Sequence, residues 1–419
     1  MHLPPDNIIV ELTTHAYGGE TLGRLPDGRA VFVPFALPGE VVRIRLIAEK
    51  RGYARAELVE VLTASPQRIE PVCRHFTRCG GCHYQHMPYG VQLEAKTKIL
   101  KDQLERLGKI DAPEVKPAVP AAAQYHYRNN IQFQLTDQGS LGFHGRQPGE
   151  LFAVEECHLP EEALNHLWPQ LHFEEGSGLQ RVGLRLGSGE DILLTLESDH
   201  PQPPDFLVED LPIAAVFLSP EVMHVLAGDN FIFIEVLERS FRVSAGAFFQ
   251  VNTRMAAAMV EHVLSNLTLE AGDTVIDAYA GVGLFSAFLA AKVKRLIAVE
   301  ESPQACADFT FNLDEFNNVE LYQAKVEQVL PSIEVKPKAI LVDPPRSGLD
   351  RSALDGILSL RPELVVYVSC DAATLARDVR RLSAGGYRLA SATPFDLFPQ
   401  TFHVETVCFL NLLDKEQLF

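Results

Sequence analysis

Over residues 1–63 the chain changes between apolar and polar positions in short runs. In Val41-Val42-Arg43-Ile44-Arg45-Leu46-Ile47, arginines alternate with aliphatic residues, as in a half-buried antiparallel strand. Turns at Gly18-Gly19, Pro26-Asp27-Gly28 and Pro38-Gly39-Glu40 divide the stretch into at least four strand-like segments. A small β-barrel is the natural product of such a run. The period changes at Val91–Gly108, where Leu93, Leu100, Leu104 and Leu107 share one helical face and Gly108 is a stop. Residues 124–245 return to β character, in QYHYRNNIQFQL, RVGLRLGSG, DILLTLES and DNFIFIEVLERSFRVSAGAFFQ, with a loop or linker at PQPPDF (201–206). From about residue 250 helices separate short apolar strands: TVIDA, LIAVE, VELYQ, AILV and LVVYVS. That order predicts a doubly wound parallel sheet covered on both faces.

Composition adds two features. The chain has 419 residues, room for two or three domains at ~150 residues each. Its net charge of −18 argues at first against a polyanionic partner. The charge is uneven, however: residues 137–240 carry −15 of it, while residues 71–136 are +4. Local fields govern binding, so a nucleic-acid surface stays open. The seven cysteines are uneven too. Cys73, Cys79 and Cys82 form C-x5-C-G-G-C, Cys157 follows in EECHLP, and Cys306, Cys370 and Cys408 stand singly. An odd count fits poorly with a paired secreted framework. The opening MHLPPDNIIV lacks the basic and apolar regions of a signal peptide, and no run approaches the ~18 apolar residues of a membrane span. A cytoplasmic protein with reduced thiols is expected.

The third part carries a nucleotide-site pattern. Asp277-Ala-Tyr-Ala-Gly281-Val-Gly283 follows one strand and opens a helix, and Glu300 ends the next strand. Glycines there let backbone approach a ligand, and an acidic strand end can grip a ribose diol. With two glycines rather than three, D-x-x-x-G-x-G suits S-adenosylmethionine better than a dinucleotide. Further strand ends carry Asp343-Pro-Pro-Arg346 and Ser369-Cys370-Asp371, which converge on the same rim because ligands bind outside the carboxyl ends of parallel strands.

Phe249-Gln250-Val-Asn252, DAYAGVG, LVDPPR, SCDAATLARD and FPQTFHVET stand in the order found in RNA uridine-C5 methyltransferases, and the chain resembles that family over residues 249–405. Residues 1–63 resemble the TRAM barrel of many members. C-x5-C-G-G-C with a distant cysteine is similar to the iron–sulfur site of the ribosomal-RNA branch. The resemblance implies Cys370 as nucleophile and Glu405 as general base. It implies Gln250, Tyr279, Glu300 and Asp343 as contacts to S-adenosylmethionine and its pocket. His403 would be a structural neighbour. Cys73, Cys79, Cys82 and Cys157 would hold a [4Fe–4S] cluster; by spacing alone the same four thiolates also suit structural zinc. Ala372 departs from the family's usual Pro. Lys325 departs from the polar neutral or acidic residue common near adenine, and is left out of the site.

The expected architecture is therefore α/β. It comprises a TRAM-like barrel (1–65), a central β-rich domain with the iron–sulfur site (66–90 and 119–245), and a methyltransferase domain (a helix at 91–118 with 246–419). The expected substrate is RNA, 23S ribosomal RNA first and transfer RNA as the alternative. A non-catalytic RNA-binding iron–sulfur protein and a small-molecule methyltransferase are the competing classes; intact Cys370 and Glu405 argue against the first, and the barrel against the second. Tyr127, Arg128, Phe143, Arg146, Arg43 and Arg45 are candidate RNA contacts, and a monomer is expected.

Overall fold

The computed structural model describes residues 8–203 and 213–413. The PQPPDF linker therefore lies partly outside the described residues. Strands β1 (Ile8–His15), β2 (Glu20–Arg24), β3 (Ala30–Pro34), β4 (Val41–Glu49) and β5 (Tyr53–Thr63) close into a barrel in the order β1-β2-β3-β5-β4. The alternation puts Val10, Leu12, Val31, Val33, Val42 and Ile44 inside. Closure leaves no strand edge unpaired.

Helix α1 (Tyr89–Arg106) follows the cysteine-rich loop. Gly108 is the stop expected, because a Cβ there would stand 2.4 Å from the Leu104 carbonyl oxygen. The buried face differs from the leucine stripe. Leu107 is exposed, whereas Gln92 and Lys96 are buried with Ala95, Ile99, Leu100 and Leu104. Both polar side chains find partners on a loop some 300 residues away, which no local periodicity reveals. Nor does the helix reach residue 118. After Gly108 the chain runs alongside the last sheet, with Lys116 N donating to Ala392 O (2.9 Å) and Val119 N to Pro394 O (2.8 Å).

The central sheet comprises β6 (Asn130–Leu135), β7 (Leu141–His144), β8 (Leu151–Ala153), β9 (Arg181–Leu186), β10 (Ile192–Glu197), β11 (Ile213–Leu218) and β12 (Met223–Ala227), in the order β12-β11-β10-β9-β6-β7-β8. Helix α2 (Glu162–Leu167) and Trp168 pack on its apolar face. The hairpin β13 (Phe231–Val236) and β14 (Arg239–Ser244) falls in the central stretch of sequence, yet its apolar face packs into the core of the third unit.

That third unit alternates as expected: α3 (Thr253–Asn266), β15 (Thr274–Ala278), α4 (Leu284–Leu289), β16 (Arg295–Glu300), α5 (Pro303–Asn312), β17 (Val319–Gln323), α6 (Val326–Val329), β18 (Ala339–Val342), α7 (Arg351–Leu360), β19 (Leu364–Ser369), α8 (Ala372–Ala384), β20 (Tyr387–Phe395) and β21 (Glu405–Leu412). The sheet order is β17-β16-β15-β18-β19-β21-β20. It is parallel from β17 to β19, and β21 then runs antiparallel between β19 and β20. α3, α4 and α5 cover one face; α1, α6, α7 and α8 cover the other. Among the described residues no helix is long and apolar enough to cross a membrane.

Candidate active site

The reversed strand builds the site. Because β21 is antiparallel to β19, its first residue lies at the rim where β19 ends. The register pairs Ser369 with Thr406, which brings Cys370 and Glu405 to one place. β18 adds Asp343 and β15 adds Asp277 to the same rim.

This rim concentrates buried acid. Glu405 is only 3% exposed, and burial together with the nearby Asp343 charge pushes its carboxyl well above the usual range. Burial, with Asp277 adding, raises Asp343 to about 7. Asp277 is raised to about 6, chiefly by burial; its Oδ2 accepts from Ser286 Oγ at 2.6 Å, while its Oδ1 is buried with no partner. Cys370 is half-buried, and its thiol is pushed up to about 12, first by burial and then by the charges of Glu405 and Asp343. Arg346 opposes both shifts. Like charges gathered in a low-dielectric rim form a site whose field favours a cation.

The Asp277–Gly283 loop turns in the left-handed region at Tyr279 (φ 67°), Gly281 (φ 56°) and Gly283 (φ 95°). The two glycines serve different ends. Gly283 holds a left-handed φ that side chains rarely adopt, and a Cβ there would also stand 2.4 Å from Leu313 Cδ1 at the end of α5. At Gly281 a Cβ meets nothing within 4 Å, so the loop is open there. Glu300 ties the loop down: its Oε2 accepts from Gly281 N at 2.9 Å and its Oε1 from Ser302 N at 2.8 Å. Tyr279 is half-buried against the core face that carries α6 and α7.

Gln250 is buried at the joint leading into α3, where its carbonyl accepts from Asn129 Nδ2 at 3.1 Å. Asn252 caps α3 through Met255 N and also donates to Leu397 O at 3.2 Å. His403 is a neutral imidazole; burial lowers its pKa to about 3. Its ring lies 4.2 Å from that of Phe402. Lys325 stands just before α6.

Cys73, Cys79, Cys82 and Cys157 line one cavity of about 490 Å³ between the cysteine loop and the central sheet. Burial raises all four thiols, Cys82 to about 12 and Cys157 to about 11. Arg128 lines the same cavity, and its Nε is buried without a hydrogen-bond partner. Among the described residues no group of three or more His, Cys, Asp or Glu is arranged to hold a single metal ion.

Most of the other candidate RNA contacts have structural work. Tyr127 is buried, its hydroxyl donating to Pro399 O at 3.1 Å. Phe143 stacks on Phe133 (5.2 Å, 12°) and Arg146 lies over the Phe35 ring. Arg43 pairs with Glu60 and Arg45 with Glu57. Sequence reading missed Tyr17, whose hydroxyl donates to Asp371 beside Cys370, and the clamp made by Gln92 and Lys96.

Comparison with known proteins fits this geometry. A family model described as tRNA (Uracil-5-)-methyltransferase matches residues 229–413, and a TRAM domain model matches residues 7–59. A protein of Halalkalibacterium halodurans named as an uncharacterized RNA methyltransferase is 34% identical, over 97% of both chains. The chain belongs to the RNA uracil-5 methyltransferase family. A second RNA methyltransferase of that naming, from Chlorobaculum tepidum, is 32% identical over 96% of each chain. The family match begins at the β13–β14 hairpin, which is where the catalytic core begins. The crystal structure of the Pyrococcus abyssi tRNA (uracil-54, C5)-methyltransferase with S-adenosyl-L-homocysteine shares the fold, at TM-score 0.73 and 24% identity, over 96% of this chain and 99% of that one. The protein is thus an S-adenosylmethionine-dependent RNA methyltransferase with an N-terminal TRAM barrel.

Proposed function

We propose that this enzyme methylates C5 of a uridine in RNA through a covalent adduct, with Cys370 as nucleophile and Glu405 as base. The observation that carries this reading is the β19–β21 register, which sets a thiol opposite a buried carboxyl at the cofactor rim. Uracil C5 is a poor nucleophile. Cys370 Sγ adds to C6 as the thiolate, its proton having passed to solvent, and turns C4–C5 into an enolate, so one hard step becomes two easier ones. S-adenosylmethionine, when bound, supplies an electrophilic methyl group on a sulfonium. The Asp277–Gly283 loop, Glu300, Asp343, Tyr279 and Gln250 are the residues to hold it; the unpartnered Asp277 Oδ1 and the open Gly281 fit a ligand there. After transfer, Glu405, which must be ionised at this stage, takes the C5 proton as its carboxylate, the C6–S bond breaks and the thiolate leaves. The target must be flipped from its stack to reach the rim.

Cys73, Cys79, Cys82 and Cys157 are assigned to a [4Fe–4S] cluster. A shared cavity, four thiols and an unpartnered guanidinium nitrogen suit an anionic cluster. No step above needs an electron, so the role proposed is structural or RNA-positioning. Anaerobically purified protein is expected to be brown, with near four iron and four sulfide per chain. Stoichiometric zinc without sulfide would sink this assignment.

The proposed substrate is 23S ribosomal RNA, in the cytoplasm. The test is transfer of labelled methyl to unmodified ribosomal and transfer RNA in parallel, followed by mapping; label confined to transfer RNA overturns the ribosomal assignment. Cys370→Ala should abolish product, and Glu405→Gln should accumulate a covalent RNA–protein adduct. Product from Cys370→Ala rejects the mechanism.

A further inference from the structure

Tyr17 belongs to the turn between β1 and β2 of the barrel, yet its hydroxyl donates to Asp371 Oδ2 on the catalytic rim. Asp371 follows Cys370 and caps α8: its Oδ1 accepts from Ala373 N (3.0 Å) and Thr374 N (2.9 Å). Thr374 Oγ1 continues the network to Arg346 O at 3.2 Å. The barrel turn is seated by independent contacts. The Tyr17 ring meets Phe402 edge-on, with centroids 6.4 Å apart. At Gly19 (φ 82°) a Cβ would stand 3.0 Å from Phe402 Cδ1 and 3.2 Å from His83 Cβ, so a glycine is what lets the turn come this close. One turn of the barrel therefore touches both segments that converge at the rim, the one bearing Cys370 and the one leading to Glu405.

We propose that Tyr17 is a positioning residue: through Asp371 it holds the Cys370 segment facing Glu405, so that the barrel completes the active site. The proposal rests on Cys370 being the nucleophile. The charged and titratable groups facing Cys370 are Glu405 from β21, Asp343 and Arg346 after β18, and Asp371 on its own segment. Tyr17 occupies the Asp371 oxygen that the helix cap leaves over. Without that hydrogen bond, the Asp371 carboxylate loses a fixed donor, and its orientation and charge beside the thiol are no longer controlled.

The test uses the full chain carrying Tyr17→Phe, which keeps the ring against Phe402 and removes only the hydroxyl. The expected result is a kcat lower by roughly tenfold with KM for RNA unchanged, as a misplaced reacting group gives. In RNA-free protein the pH profile of Cys370 alkylation by iodoacetamide should move to higher pH, with the melting midpoint unchanged. Wild-type kcat together with a wild-type alkylation profile overturns the proposal. So does a loss confined to KM, which makes Tyr17 an RNA contact. The alkylation readout needs no turnover, so it separates this proposal from the covalent mechanism, which Cys370→Ala tests.

Discussion

Two buried polar groups of residues flank the 396–405 segment, and they are built oppositely. On the α1 side opposite charges meet, although Asp396 Oδ2 is itself without a hydrogen bond. Lys96, with no exposed side-chain surface, donates to Asp396 Oδ1 and to Phe398 O. Gln92 Nε2 donates to Gln400 Oε1 and its own Oε1 accepts from Gln400 N, both at 3.0 Å. On the rim side carboxyls are buried near one another: Glu300 adds to the rise of Asp277, Asp277 to that of Asp343, and Asp343 to that of Glu405. Paired buried charge fixes a position. Unpaired buried charge of one sign is costly in the free protein and is retained where a ligand offsets it. The first group of residues is a clamp; the second is the proposed binding site.

The comparison breaks most sharply at Lys96. Lys96→Met leaves Asp396 buried and alone, and is expected to cost about 3–5 kcal/mol in urea unfolding. The double variant with Asp396→Leu should recover most of that loss. A small effect of the single variant would mean the clamp is not one. Gln92→Ala comes next: it strands Gln400 N, Gln400 Oε1 and the Met87 carbonyl, for a loss of about 1–3 kcal/mol. The smallest effect lies at the rim, with a pH signature of the opposite kind. Asp343 is raised to about 7 in the fold, whereas an unfolded aspartate ionises near about 4. Between those values the folded chain holds more protons, so this group lowers stability as pH rises. Asp343→Asn should make the loss between pH 5 and pH 8 shallower, by about 1 kcal/mol given partial solvent access. A steeper loss would show that the rim is stabilised like the clamp.

Local pattern made the barrel, the α1 helix and the alternating third unit legible. Strand alternation and the 3.6-residue period are properties of neighbours in sequence. The rim residues were legible for a related reason, since strand ends in a doubly wound sheet are brought to one edge by topology alone. Where the reading failed, it failed on long-range partners. Lys96 and Gln92 look like the solvated face of a helix until the 396–400 loop is folded against them. Gly283 looks like a phosphate-loop glycine until Leu313 and Phe309 are seen behind it. Tyr127 and Arg146 look like surface groups until Pro399 and Phe35 meet them. The hairpin at 231–244 reads as part of the central β region because its strands are like the others; only packing shows which core its apolar face joins.

By itself, then, the amino-acid sequence determined the barrel, the wound sheet, the family and the chemical identity of the residues at the rim. Each of these rests on residue type and spacing. Tertiary structure alone decided that β21 runs backwards and so sets Glu405 opposite Cys370, that a barrel tyrosine reaches Asp371, and that three carboxyls share one buried field. Those are distances between groups far apart in the chain. The energies involved depend on burial and separation in space, which no residue's neighbours in sequence specify.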